Sequence, residues 1–100
     1  MTWRIQILDI AQRDFEAIES YLDEVAPEQT ERFIDDFEAT VGRVAEQPLL
    51  RPEIRTEVRR ASLRIFRYHV WYRVFPELEY LEILAILHHA RGPQASADRL

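Results

Sequence analysis

Arg59, His88 and Arg91 are the side chains of this sequence best suited to chemistry on a phosphodiester. Cleavage through a ribose 2′-hydroxyl needs a base to take its proton, a cation beside the phosphate and an acid for the leaving oxygen. Arg59 and Arg91 can hold the phosphate, and His88 can move a proton, because an unperturbed imidazole titrates near pH ~6.5. A plainer role for Arg59 is an ion pair with a carboxylate of the sheet or helices. His88 and His89 are adjacent, so on a strand they face opposite ways and cannot form a two-histidine clamp. His69 falls on another segment, and the three histidines have no metal-ligand spacing. Tyr68 and Tyr72 read as packed aromatics whose hydroxyls need partners. No phosphate loop, serine-nucleophile motif or dinucleotide fingerprint is present, so neither metal nor cofactor is expected.

Charge narrows the range of partners. The 100 residues carry a net charge of −5, with thirteen basic residues, all arginine, and no cysteine for a disulfide or thiolate site. Residues 1–50 are strongly acidic, whereas seven arginines lie between Arg51 and Arg73 with only Glu53 and Glu57 to oppose them. Sequence-independent affinity for nucleic acid comes from cations displacing counterions along the phosphates. An acidic chain without lysine is a poor candidate for tight nucleic-acid binding. The apolar runs are far shorter than the roughly 20 residues that cross a bilayer, and the first residues lack the pattern of a secretory leader. A cytoplasmic protein is expected, with no membrane partner.

The elements that must position these residues follow from periodicity. Trp3, Ile5 and Ile7 alternate with Arg4 and Gln6, predicting a first strand. Asp9 and Gln12 suggest a capping box, and Phe15, Ile18, Leu22 and Val25 give a helix over 10–25. Pro27 suits the first turn of a second helix with a stripe of Phe33, Phe37, Val41 and Val44. Glu31, Asp35, Asp36 and Glu38 fall mostly off that stripe, giving the antiparallel helical hairpin an acidic outer face. Gly42 costs roughly 1 kcal/mol relative to alanine and reads as tolerated weakness. After Pro48 and Pro52, segments 58–63, 65–75 and 80–88 are rich in β-branched and aromatic residues and read as three strands joined by hairpins. The expected class is α+β, with an N-terminal strand, a two-helix hairpin and a three-stranded antiparallel meander carrying the helices on one face. One domain over 1–93 is expected, followed by a flexible tail over 94–100.

Strict alternation puts Phe66, Tyr68, Val70, Tyr72 and Val74 on the helix face of the middle strand, and Arg67, His69, Trp71 and Arg73 on the other. In the last strand Leu81, Ile83, Ala85 and Leu87 share one face while Leu84 and Ile86 are apolar on the opposite one. Apolar character on both faces belongs to a strand covered on both. Either a partner segment supplies the second layer, or the sheet curls so that Trp71 and Arg73 shield it from within the chain.

Pro48 followed by Arg51-Pro52, the Val58-Arg59-Arg60 strand start, the Tyr68-x-x-x-Tyr72-Arg73-Val74 strand and the Ile83-Leu84-Ala85-Ile86-Leu87-His88-x-x-Arg91 ending, in this order after two amphipathic helices, carry a resemblance. Over about positions 3–93 the chain resembles the ParE/RelE superfamily of bacterial type II toxins. The resemblance implies a toxin neutralised by a cognate antitoxin, whose C-terminal segment folds on the toxin surface to form a hetero-oligomer. It also implies one of two activities. RelE-like members cleave messenger RNA on the ribosome, whereas ParE-like members inhibit DNA gyrase by protein contact without being nucleases.

The absence of lysine and the acidic helical hairpin favour the ParE-like branch, a non-enzymatic gyrase inhibitor tied to plasmid stabilization and growth arrest. The alternatives are a RelE-like endoribonuclease using Arg59, His88 and Arg91, and an inactive interaction module of the same fold. For the antitoxin the expected contacts are Arg59, Arg67, Trp71, Arg73, Leu84 and Ile86; for the target they are Arg60, His88 and Arg91.

Overall fold

The computed structural model describes residues 3–90. Its elements run β1 (Arg4–Ile7), α1 (Asp9–Val25), a 3₁₀ turn (Pro27–Gln29), α2 (Thr30–Glu46), β2 (Val58–Ser62), β3 (Tyr68–Phe75), a second 3₁₀ turn (Pro76–Leu78) and β4 (Tyr80–His88). This is the α+β class and element order read from periodicity. The sheet order is β1-β4-β3-β2, so the first strand lies beside the last. β1 pairs with β4 in parallel, from Arg4 opposite Tyr80 to Ile7 opposite Ile83, while β2, β3 and β4 form the antiparallel meander. A parallel pair cannot be joined by a tight turn, and here the rest of the domain forms the connection.

α1 opens without a side-chain cap. Leu8 occupies the cap position and Asp9 is already the first helical residue, so the expected capping box is absent; Asp9 instead contributes its charge to the first turn. The hairpin turn is fixed by the Thr30 hydroxyl, which donates to Asp23 Oδ1 at 2.6 Å. Both helices then lay their apolar stripes on one face of the sheet. Phe15 packs against Phe33 and Phe37, with ring centroids 5.4 and 4.9 Å apart, and Phe33 meets Phe66 edge-on. Phe33, Val44, Val70, Tyr72, Leu81 and Ile83 are fully buried in this helix-side core. A fully buried apolar side chain of this size stabilises the fold by roughly 1.5–3 kcal/mol.

Two departures from simple alternation shape the functional surface. The first is Asp36, which is only 5% exposed on α2 and does not lie on a solvated acidic face. Its carboxylate accepts the backbone N–H groups of Arg64, Ile65 and Phe66 at 3.1, 2.8 and 2.9 Å. Those donors are thereby lost to a strand ladder, and β3 starts at Tyr68 rather than near Ile65. The second is a bulge in β4. Trp71 pairs with Ala85 and Tyr72 with Ile83, leaving Leu84 as an extra residue.

The bulge reverses the alternation for the rest of the strand. Leu81 and Ile83 face the helices, Leu84, Ala85 and Leu87 pack with Trp71 and Val58 on the other face, and Ile86 returns to the helix side. Ile86 is therefore not an outer-face anchor as expected. It is 3% exposed in the helix-side core, and its N–H donates to Asp14 Oδ2 at 3.0 Å.

Candidate functional site

The outer face of the sheet is covered within the folded chain, as a curling sheet would predict. Trp71 is 2% exposed, Leu84 8% and Leu87 4%, so the expected contact residues Trp71 and Leu84 are core residues of a second, smaller cluster. The Arg60 guanidinium lies over the Trp71 ring, 5.5 Å from its centroid, a cation–π contact across the β2–β3 register pair. The indole Nε1 of Trp71 has no hydrogen-bond partner.

One step along the same pair of strands, the Ser62 hydroxyl lies 3.0 Å from His69 Nδ1. The His69 ring stacks on His89 with centroids 4.0 Å apart and planes at 26°. His89 is fixed by its own N–H, which donates to the Arg67 carbonyl at 2.9 Å and continues the β3–β4 pairing beyond the strand. Burial, then the neighbouring His89 and Arg60, lower the His69 pKa to about 4. His69 is consequently neutral at pH 7, able to accept a hydrogen bond or a proton but not available as an imidazolium acid.

The candidates for phosphodiester chemistry do not assemble. Arg59 pairs with Tyr72 in the register and lies on the helix side, opposite to Arg60. There its Nη1 donates to the Arg51 carbonyl at 2.6 Å and its Nη2 meets Glu53 at 3.5 Å, the plainer ion-pair role. His88 pairs with Tyr68, four residues from Tyr72, roughly 13 Å away along a strand. The bulge turns His88 to the helix side, where it meets the Tyr68 ring edge-on at 5.2 Å, while its Nδ1 accepts the Ala90 N–H. Arg91 and the 94–100 tail lie outside the described residues. Arg67 and Arg73 remain on the surface side of β3, Arg73 opposite Glu82. Ser62, His69 and His89 were not assembled as a site from the sequence, because the face of His89 depends on the bulge. The signal was available in the run Ile83-Leu84-Ala85-Ile86, whose two-sided apolar character marks the extra residue.

A different surface is open and apolar. Ile7, Phe15, Ile34, Phe37, Val41 and Gly42 border a groove of about 500 Å³ between the two helices and β1, with Gln12 and Glu38 as its polar rim. β1 is an edge strand, and Ile7 beside the groove is 36% exposed. A Cβ built on Gly42 would meet nothing within 4 Å, so this glycine is not demanded by close helix contact.

Comparison with known proteins fits this architecture. The family described as ParE toxin of the type II toxin–antitoxin system, parDE, matches residues 5–93. The chain belongs to the ParE toxin family. Among solved structures, it is similar to a chain of the chromosomal ParDE toxin–antitoxin system from P. aeruginosa, with a TM-score of 0.74 and 20% identity over 87% of this chain and 96% of that one. A mutant of the E. coli toxin RelE in the free state superposes with a TM-score of 0.68 at 13% identity, over 99% of this chain and 95% of that one. A chain of the RelBE2 toxin–antitoxin complex from Mycobacterium tuberculosis gives 0.60 at 21% identity, covering 91% and 95%. At these identities the structural likeness establishes the fold. No curated protein matches the sequence. This ParE-family toxin has no helix among the described residues long and apolar enough to cross a membrane.

Proposed function

We propose that this ParE-family chain arrests growth in the cytoplasm by docking on DNA gyrase, without cleaving nucleic acid, and that a cognate antitoxin neutralises it. The observation that carries the choice is the dispersal of the nuclease candidates. Arg59 is held by Glu53 and the Arg51 carbonyl, and His88 lies on the same face at the other end of β3. His69, which Arg60 helps to hold neutral, has a pKa of about 4 and cannot act as an imidazolium acid towards a leaving oxygen at neutral pH. Docking on a protein requires none of these groups to titrate; Arg60 and the neighbouring surface arginines suffice as contacts.

The antitoxin segment takes the groove between α1, α2 and β1 in this reading. The groove is apolar and open, and an extended chain lying beside β1 would also satisfy that strand's free backbone groups. A segment ordered only on binding can cover both features at once. The decisive assay is gyrase supercoiling with purified toxin. Inhibition at micromolar toxin, relieved by antitoxin, is expected; full gyrase activity at that concentration would reject the reading.

The cluster of Arg60, Ser62, His69 and His89 favours a second reading, RNA cleavage on the ribosome. It predicts cut transcripts after induction and their loss in His69→Ala. Intact transcripts in arrested cells would exclude it.

A further inference from the structure

At the edge of β2, sharing Ser62 with the His69 cluster, a pocket of about 350 Å³ lies between the end of α2, the segment after it and the β2–β3 loop. Arg43, Arg51 and Arg64 converge on it from these three directions, with Glu46 the acid on its rim. Burial first, then the charges of Arg64 and Arg51, hold the Arg43 pKa below its usual value. Asp36, close enough to favour the charged Arg43, has both carboxylate oxygens occupied by the loop N–H groups. With Glu46, Asp36 and the roughly half negative charge at the last turn of α2 counted, the three guanidiniums keep a slight positive excess.

One donor of this cluster is unmet. Arg51 Nη1 is buried without a hydrogen-bond partner, while Arg59 Nε and the Tyr72 hydroxyl, also unpartnered, do not border the pocket. Arg51 is close enough to Tyr72 to oppose the rise in its pKa caused by burial, yet their contact does not meet hydrogen-bond geometry. A buried donor left unsatisfied costs about 1–3 kcal/mol, and like charges gathered at one place add to that cost. Both are relieved by a compact acceptor with several oxygens. Guanidinium forks match phosphate geometry, and forks arriving from three directions suit the several oxygens of a tetrahedral phosphate better than the two in-plane oxygens of a carboxylate.

We infer that this pocket binds a phosphate-monoester dianion between Arg43, Arg51 and Arg64. The volume holds the phosphoryl group and the first atoms of its carrier. This site is independent of the gyrase and groove readings and stands or falls apart from them.

The test is a titration of the purified full chain with inorganic phosphate, followed by backbone amide shifts of residues 62–66 and by the arginine Nε resonances. Saturable shifts are expected at pH 7.5, with affinity falling as the pH is lowered and the dianion takes up a proton. Arg64→Gln, which removes an exposed side chain, and Arg51→Gln should each weaken binding at least tenfold; Arg64→Lys should recover only part of it. Ribose 5-phosphate binding more tightly than phosphate would identify a small phosphorylated ligand. A short oligoribonucleotide bound only when 5′-phosphorylated would identify a nucleic-acid end as the source. The proposal is overturned if sodium chloride at matched ionic strength reproduces the shifts. Unchanged affinity in folded Arg64→Gln and Arg51→Gln, or equal binding of the oligonucleotide without its 5′-phosphate, overturns it too.

Discussion

His69 lies against His89 with ring centroids 4.0 Å apart, while His88, the neighbour of His89 in the chain, contacts Tyr68 on the opposite face of the sheet. The stack is compatible only with at least one neutral ring, and His69 is the one held neutral by burial, His89 and Arg60. An imidazole whose pKa is lower in the folded state than in the unfolded chain favours folding while unprotonated. That contribution is complete above pH about 6.5 and is lost as pH falls towards 4. Urea denaturation at pH 7.5, 6 and 4.5 should give decreasing stability, and His69→Gln should flatten the part of the slope that belongs to this ring. An identical slope in the variant would show that other groups set it.

Asp36 makes a sharper demand on the fold. Asp36→Ala strands three backbone donors at Arg64, Ile65 and Phe66, and a loss of about 3 kcal/mol is expected in chemical denaturation. Hydrogen exchange should accelerate at those amides first. Uniform acceleration across the sheet, without priority for this loop, would contradict the assigned role.

Gly42 separates stability from partner binding. Gly42→Ala places a methyl group in open space on α2 and should stabilise the toxin by up to about 1 kcal/mol. Gly42→Leu extends further into the groove and should weaken antitoxin binding at least tenfold in calorimetry while the toxin stays folded. Unaltered affinity would move the antitoxin away from this groove.

Trp71 and Ile86 test the two faces of the sheet. Trp71→Ala should destabilise the free toxin by about 3–5 kcal/mol, because its ring is core on the outer face. Ile86→Asp should prevent folding outright, since it buries a carboxylate next to Asp14. A folded Ile86→Asp toxin that fails only in antitoxin binding would mean that the last strand alternates without a bulge.

The fold was legible where chain periodicity and burial agree. Phe15, Ile18 and Leu22 declare α1 at helical spacing, and Tyr80–His88 stands out as a strand because nearly every residue is apolar or β-branched. The errors share one cause: a single residue or side chain redirected a hydrogen-bond ladder through a tertiary contact that periodicity does not encode. Leu84 shifts every later residue of β4 to the other face, which misassigned Ala85, Ile86 and Leu87 together. Asp36, four residues after Arg32 and three after Phe33, looks like one more surface acid; its role depends on a loop about 30 residues onward. The arginine pocket at the β2 edge was visible only as a local charge excess, because its members come from a helix, a connecting segment and a loop.

The pairing of β1 with β4 sets an order of events during synthesis. Arg4–Ile7 is synthesised well before its strand neighbour among the described residues, Tyr80–Ile83. Contacts of such long sequence separation close last. A nascent chain therefore has no finished sheet until Tyr80–Ile83 has been made and has cleared the ribosome, so the helices must wait for the strand that joins β1 to the meander.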